Sequence, residues 1–561
     1  MYILMRIGKS QGPVAVQAIT GTYVVLFGMN IEETHKDGVL GFGIQRTDHD
    51  MNDEKFWLAG FKTFKQSGIP PGNLVPTNEH PIQAFLWGDY TTRKNHRYTY
   101  RFVVMRGQPG SLQESEEVSI PISMEKEKSA RHEVYFNRGV AGSQAYVRKF
   151  GNKSPDEVGQ PAFDWLSRGL FEAMRDYLRQ AIDDTWSVHV AVYEFQYLPI
   201  LNEFKAAIDR GAKVMIIFDD KNNGKFDNEG KPIGPWKSNR KAMRKAGIRT
   251  SHYTPRRKNP SFISHNKFIV LLKNDVPKQV WTGSTNITQG GIYGHSNVGH
   301  VVRDEEIASS YEAYWQHLLN DPQAASLRNW TDANPAVPTS SFPEDTMGPL
   351  FSPRGDLEAL EWYAKRMDEA GVASFLTAAF GVNDLFEDVF FAKKNRLRYL
   401  MLETADDKME ELGAWKYNRI AIGNVLKENM FERWLEERLT GYNVHVKYIH
   451  TKYMLIDPLG EEPLVITGSA NFSDSSTTRN DENMLVISGN KNVADIYLTE
   501  FMRLFMHFYF RMIANRIGPA SPTFDPNAGY LKDDDSWILP YYDTNHPKCK
   551  ERLYFAGNSV F

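Results

Sequence analysis

The stretch "HTKYMLIDPLGEEPLVITGSANFS" (residues 450–473) carries a histidine, a lysine two positions on, an aspartate five after that, and then Gly-Ser-Ala-Asn. A second stretch, "HNKFIVLLKNDVPKQVWTGSTNIT" (residues 265–288), repeats nearly all of it, with Leu272 where the aspartate stands in the other copy. In both, 16 positions separate the lysine from the glycine and 21 separate the histidine from the asparagine. On an extended strand, residues i and i+2 face the same way. His265 with Lys267, and His450 with Lys452, therefore project from one face about 7 Å apart at Cα. Residues 268–271 and 453–456 supply buried strand behind them. Gly283-Ser284-Thr285-Asn286 and Gly468-Ser469-Ala470-Asn471 bring small polar donors and close backbone to the same place. Four of the fifteen histidines have a lysine two residues on. Two of these, His445 and His546, lack the downstream Gly-Ser-x-Asn and read as a strand residue and a solvated tail residue.

Outward from these motifs the chain repeats itself. "WLSRGLFEAMRDYLRQAI" has helical spacing, "VHVAVYEF" is a compact strand run, "LNEFKAAIDRG" a helix ending on Gly211, and "AKVMIIFDD" a strand. This is a β-α-β unit and implies a parallel sheet. A Pro-, Asn- and Ser-rich link spans roughly residues 320–345. The same order then returns in "LEALEWYAKRMDEA", "ASFLTAAFG", "LRYLMLE" and "YNVHVKYIHTKYMLID". Two halves with one order of elements and one motif indicate an internal duplication. Residues 1–125 are short Val, Ile and aromatic runs between Gly, Asn and Asp turns, the pattern of an all-β unit. Their pattern resembles a fibronectin type III-like β-sandwich, with Tyr98 placed where such sandwiches keep a tyrosine corner. The expected division is a sandwich at 1–125, a first lobe at 126–325, a second at 346–516 and a C-terminal tail at 517–561 packing on the lobes. The apolar helix "VADIYLTEFMRLFMHFYFRMIANRI" is expected to pack on the second lobe rather than on a membrane.

Bulk properties narrow the class. With 561 residues the chain fits about three units, each able to bury a core. A net charge of −3 gives no global basic field for nucleic acid. Cys549 is the single cysteine, so no internal disulfide forms. The start has no signal-peptide pattern, and no apolar run approaches the roughly 20 residues that span a bilayer. The expectation is a soluble, cytoplasmic protein.

The two copies resemble the HKD motif of the phospholipase D superfamily, H-x-K-(x)4-D-(x)n-G-S-x-N, which occurs twice per active site. The second copy matches at His450, Lys452, Asp457, Gly468, Ser469 and Asn471, and continues into "RNDENMLVI", similar to the N-x-E-N element of many members. The first matches at His265, Lys267, Gly283, Ser284 and Asn286; its continuation "HSNVGHVV" keeps Asn297 but sets Gly299 and His300 against Glu482 and Asn483. The resemblance covers about residues 160–515. It implies an α/β fold of two duplicated α-β-α lobes forming one shared active site, preceded by the all-β sandwich. It also implies a phosphodiesterase that needs no metal or other cofactor and works through a phosphohistidine, with His265 as nucleophile and His450 as general acid. Lys267, Lys452, Asn286 and Asn471 are then donors to the phosphoryl oxygens, with Ser284 and Ser469 as further substrate contacts. Glu482 orients one imidazole, and Asp457 is structural. The residues themselves agree: a phosphodiester is an anion, and paired histidines supply nucleophile and proton carrier.

Other candidates are secondary. Glu194 ends a strand at the sheet edge where sites form, or is a solvated strand end. Arg256, Arg257 and Lys258 precede the His265 strand and are candidates for substrate phosphates, or a solvated charge run. "NRGVAGSQAY" (137–146) lines the cleft or is an interdomain turn, and "DDKNNGKFDNEG" is a solvated turn rather than a calcium loop. Three readings of function stand: a nuclease, favoured by the basic cluster; a phospholipase D hydrolysing or transferring phospholipid head groups, with Trp537 and Tyr541 as lipid-facing aromatics; and a non-enzymatic module, which the intact His and Lys of both copies disfavour. The sandwich is a candidate surface for a partner.

Overall fold

The computed structural model describes residues 6–124, 130–139, 144–151, 153–222, 234–258, 263–338, 342–343, 345–405, 408–423, 448–516 and 527–557. Two seven-stranded sheets dominate it, and they share one strand order. The first runs His132–Phe136, Val298–Val302, Val276–Gly283, Lys267–Lys273, Trp186–Val192, Lys213–Asp219, Tyr253–Arg256. The second runs Met347–Ser352, Glu482–Ser488, Leu464–Gly468, Tyr453–Ile456, Ala373–Ala378, Leu397–Leu402, Asn418–Ile422. The chain is α/β, and its two halves are duplicates. Strand Lys267–Lys273 is buried along six of its seven residues, which is why its apolar run shows no alternation. The sheets are mixed rather than parallel. Trp186–Val192, Lys213–Asp219 and Tyr253–Arg256 run parallel, as a β-α-β unit requires, whereas Lys267–Lys273 is antiparallel to both its neighbours.

The motif aspartate and its absence both have structural reasons. Asp457 ends its strand at φ 43°. Its carboxylate accepts three consecutive backbone N–H groups, from Gly371, Val372 and Ala373, at 2.5, 2.8 and 2.9 Å. It ties the entrance of the neighbouring strand. In the first lobe Leu272 instead joins the core. There the entrance to Trp186–Val192 is held locally: Asp183 accepts from the Thr185 backbone and hydroxyl at 3.0 and 2.5 Å.

The helix expected over residues 165–182 is broken in two, Gln160–Ser167 and Leu170–Leu178. Arg168 and Gly169 sit in the left-handed region at φ 53° and 96°. The break turns Arg168 into the interior, where it meets Glu500 at 2.7 Å. Glu500 lies on the long helix Lys491–Arg516. That helix packs on the second lobe as expected and also on the rest of the molecule: its Val493, Tyr497, Phe501 and Phe505 share one core with Ile19 and Val24 of the N-terminal region, Phe136 of the first lobe and Phe375 of the second. No described helix is long and apolar enough to cross a membrane.

Residues 6–123 build two four-stranded antiparallel sheets, and their facing side chains form a separate core. Tyr98 is buried, and its hydroxyl accepts from the Arg93 backbone at 2.9 Å, the contact a tyrosine corner makes. The tail does not merely lie on the lobes. Trp537, Ile538 and Tyr541 fill the sandwich core, so the two aromatics proposed to face lipid are buried. The following helix, Pro547–Ala556, packs on strand Val25–Ile31, and His546 caps it by accepting from the Lys548 backbone. Gly28 is required there, because a Cβ at this position would lie 2.0 Å from the Phe555 carbonyl.

Candidate active site

Each histidine stands just before its strand, not on it. The first strand begins at Lys267 and the second at Tyr453. The chain around each histidine is held by the other lobe. The His265 N–H donates to the Asp481 carbonyl at 2.9 Å, and the Asp481 N–H returns to Ile263. In mirror fashion the Ser296 N–H donates to the Tyr448 carbonyl at 2.7 Å, and the His450 N–H to Ser296 Oγ at 3.2 Å. The Asn266 and Asn483 amides also join across the lobes at 2.9 Å. One cleft therefore holds both motifs.

The glycine of each motif is a matter of space. A Cβ on Gly283 would lie 2.3 Å from the Val298 carbonyl, and one on Gly468 would lie 2.2 Å from the Asn483 carbonyl. That close approach places Ser284 and Ser469 beside the next strand. Both hydroxyls turn away from the role expected of them. Ser469 Oγ donates to Glu482 at 2.7 Å, and Ser284 Oγ donates to Asn297 at 2.8 Å. They are held by the residues that face the histidines rather than aimed at a substrate.

Those facing residues differ in charge. His265 Nδ1 lies 2.8 and 2.9 Å from the two oxygens of Glu482. A carboxylate only accepts, so Nδ1 carries the proton and Nε2 the lone pair. His450 Nδ1 lies 2.9 Å from Asn297 Oδ1. The Asn297 amide is oriented by its nitrogen, which donates to the Gly291 carbonyl at 2.7 Å. Its oxygen therefore faces His450, and Nδ1 of His450 is also the protonated nitrogen. The structure corrects the alignment read from the sequence. Asn297 is the counterpart of Glu482, not of Asn480, and Val298 is the counterpart of Asn483. Gly283 precedes Asn297 by 14 positions, as Gly468 precedes Glu482; that equal spacing is the signal. Gly299 is outside the comparison: a Cβ there would lie 2.1 Å from the Trp281 ring.

Burial controls the charges. It pushes the His265 imidazole down to about 4, against the pull of Glu482. His450 lies well below its ordinary value, through burial and then through Lys452 and His295. Lys267 is pushed down to about 8 by burial, and Lys452 is also held well below the usual lysine range, by burial and by Lys267. Each ammonium donates to the carbonyl of its own histidine, at 2.7 and 2.6 Å, which leaves N–H groups to offer. The two motif lysines and the imidazoles packed among them, with Glu482 already bonded to His265, make a site that gains from an arriving anion.

The remaining candidates divide. Glu194 lies beside the first motif: Asn286 Nδ2 donates to it at 2.5 Å. The oxygens of Asn286 and Asn471 are buried without a hydrogen-bond partner. Arg256 does not fit the phosphate contact expected of it. It is buried, and its guanidinium is committed to Asp481 at 2.9 Å and Asp321 at 2.7 Å. Arg257 pairs with Asp220 at 2.5 Å, and the Lys258 backbone N–H donates to Asp321. The two arginines of the run are thus paired with neighbouring carboxylates. His445, residues 140–143 of the Gly-containing loop and most of "DDKNNGKFDNEG" lie outside the described residues. Among the described residues, Asp48, Asp50 and His96 are close enough to share a cation. They belong to the sandwich, where His96 takes Asp48 and Arg97 takes Asp50. Reading the sequence also missed His295, whose ring centre lies 4.6 Å from that of His450.

A family model described as cardiolipin synthase, PLD-like domain, matches residues 178–319 and 397–505. No curated protein matches the chain. Among solved structures it is similar to polyphosphate kinase from Porphyromonas gingivalis, at 11% identity over 61% of this chain and 48% of that one, with a TM-score of 0.38. It is also similar to phosphatidylserine synthase of Haemophilus influenzae, at 11% identity over 62% of this chain and 87% of that one, with a TM-score of 0.42. A third is Nuc, a phospholipase D family member from Salmonella typhimurium, at 26% identity over 26% of this chain and 87% of that one, with a TM-score of 0.20. The chain spans about half the length of the polyphosphate kinase.

Proposed function

Since the chain belongs to the phospholipase D superfamily, we propose that it cleaves phosphodiesters in two displacements, with His265 as nucleophile and His450 as proton carrier. The carrying observation is the unequal pairing of the two imidazoles, His265 with a carboxylate and His450 with an amide. In the first step His450 has taken up a second proton, on Nε2, as the phosphodiester anion binds beside it; His265 Nε2 attacks phosphorus, the bond to the leaving oxygen breaks, and that oxygen takes the Nε2 proton from His450. Glu482 supports the positive charge that grows on His265. In the second step water or an alcohol attacks phosphorus and gives its proton to His450. The P–N bond breaks and its electron pair returns to His265. Lys267, Lys452 and the amides of Asn286 and Asn471 steady the non-bridging oxygens. His450, without a carboxylate behind it, releases its proton more readily than His265 would. Residues of this chain carry each step, and no metal is needed.

For the substrate we favour a nucleic acid strand. Phe380 is 59% exposed, and Lys452 Nζ stands 5.7 Å from its ring centre. An exposed ring beside a phosphate-binding ammonium suits a stacked base. A phospholipid is the second reading, favoured by the description of the matching family model. Arg256 and Arg257 support neither.

The test has two parts. Acid-labile, base-stable phosphate is expected on the wild type and absent from His265→Ala, with activity retained in chelator. His265→Ala and His450→Ala should each lose nearly all turnover. Full loss of activity with chelator and rescue by Mg²⁺ would sink the mechanism. Labelled single- and double-stranded DNA, beside phosphatidylcholine and phosphatidylglycerol vesicles at two salt concentrations, separates the substrates. Head-group release without nucleic-acid cleavage overturns the preferred one.

A further inference from the structure

The segments that follow the two motifs, His295-Ser296-Asn297 and Asn480-Asp481-Glu482, occupy matching places but carry different side chains. Ser264 bridges Asp481 as Ile449 bridges Ser296, which puts His295 where the other half has Asn480. The Asn480 side chain donates to Glu482 at 3.5 Å and accepts from the Ile263 backbone at 3.4 Å, and it touches neither motif imidazole. His295 does more. It is buried, its ring lies against that of His450, and both motif lysines act on it.

Asn297 sets the state of both rings through one amide. Its oxygen takes the Nδ1–H of His450. Its nitrogen lies 2.8 Å from His295 Nδ1 and also donates to Gly291. An amide nitrogen only donates, so His295 Nδ1 is the acceptor and its proton sits on Nε2. Two adjacent imidazoles therefore hold opposite tautomers: His450 has its lone pair on Nε2, and His295 has its N–H there. That N–H makes no hydrogen bond to any described residue.

We propose that His295 is a third working imidazole of the site, whose Nε2–H donates to the oxygen that His450 protonates on departure and deprotonates on attack. His295 transfers no proton. It offers a hydrogen bond to one lone pair of that oxygen while His450 handles the proton, so both displacements keep their balance. The inference rests on the two-step reading above and deepens it, because it gives the leaving and entering oxygens a binding place on the His450 side of the cleft.

The experiment uses the full chain with two synthetic phosphodiesters that share one acyl-free core, one with a p-nitrophenyl leaving group and one with an alkyl leaving group. Rapid quench follows release of the leaving group and the rise and decay of phosphohistidine. In His295→Ala, Asn297 keeps its Gly291 and Ser284 anchors, so His450 stays oriented. Release of the alkyl group should slow by on the order of 10²-fold, the scale of one lost donor in a catalytic site. Release of p-nitrophenolate, which needs little help in leaving, should slow by less than about threefold. Decay of the phosphohistidine should slow for both, because the same water attacks in each case. His295→Gln, which keeps an N–H, should recover part of the alkyl rate. Equal losses with both leaving groups would show that His295 only shapes the cleft, and the proposal would fall. So would wild-type rates in His295→Ala. If the wild type itself yields no phosphohistidine, the two-step reading is the part that has failed.

Discussion

Replacing Glu482 by Gln removes one charge and little else. The Gln carbonyl can still accept from His265 Nδ1, and its nitrogen can donate to Ser469 Oγ, which already accepts from the Asn483 backbone at 3.0 Å. The site stays filled. What is lost is the attraction between the carboxylate and a cationic imidazole whose Nδ1 is 2.8 Å away. Between charge centres about 4 Å apart, at an effective dielectric near 20, that attraction is about 4 kcal/mol. Roughly half of the charge has developed in the transition state, so the barrier to attack rises by about 2 kcal/mol, or about 30-fold. Loss of a charged acceptor adds to this and brings the expected slowing to on the order of 10². If the Gln amide turns its nitrogen toward His265, the imidazole adopts the other tautomer, its Nε2 lone pair is gone, and the loss approaches 10⁴. The assay is single-turnover formation of phosphohistidine, run beside a melting curve to show that the fold survives. Wild-type phosphorylation by a folded Glu482→Gln enzyme would refute the reasoning, because it would mean that the carboxylate does not act on the attacking ring.

Four further outcomes follow from other parts of the structure. Asn297→Asp gives His450 a carboxylate and raises its pKa, so the limb of the kcat–pH profile that reports its deprotonation should move up by one or more pH units; an unmoved limb would contradict the assignment of Asn297 as its partner. Acid should destabilise the cleft. His265, His295 and His450 are held below the unfolded value of about 6.5, the first to about 4 and the second to about 3, so the unfolded chain binds more protons between these limits. Stability is then full above about pH 6.5 and falls as pH drops toward 4, by at most about 1.4 kcal/mol per pH unit for each ring; a flat melting temperature between pH 7 and 5 would oppose this. Asp457→Asn keeps the tolerance for positive φ but weakens three backbone contacts and should cost about 1–3 kcal/mol, whereas Leu272→Asp buries an unpaired charge and should cost more; a faster Leu272→Asp enzyme at unchanged melting temperature would show that the missing aspartate had mattered to catalysis.

The duplicated spacing made the lobes and both His-Lys pairs legible, because a strand entry, a close-packed glycine and an asparagine must recur at fixed offsets to rebuild the same geometry. Other features were hidden for physical reasons. The ion pair at the helix break joins Arg168 to Glu500, more than three hundred positions away, and no local helical pattern records it. Arg256 looks like a free cation until Asp321 and Asp481 arrive from distant segments to take it. Trp537 and Tyr541 look exposed in a polar tail because the sandwich core that receives them lies at the other end of the chain. His295 has no counterpart of its own residue type in the other half, and Asn297 matches Asn480 by type but Glu482 by place, because the strand register is what fixes which side chain faces the histidine.

The contrast between Glu482 and Asn297 has a consequence for how two halves in one chain can change. If one lobe met a second copy of itself across a twofold axis, every substitution would strike both catalytic imidazoles together, and turning one supporting acid into an amide would disarm the nucleophile along with its partner. Joining the halves by a peptide link removes that constraint. Each position then exists once, so one ring is free to keep its anion while the other gives it up. A symmetric ancestor has no preferred direction for attack; here the covalent bond between the lobes is what allows a direction to be chosen.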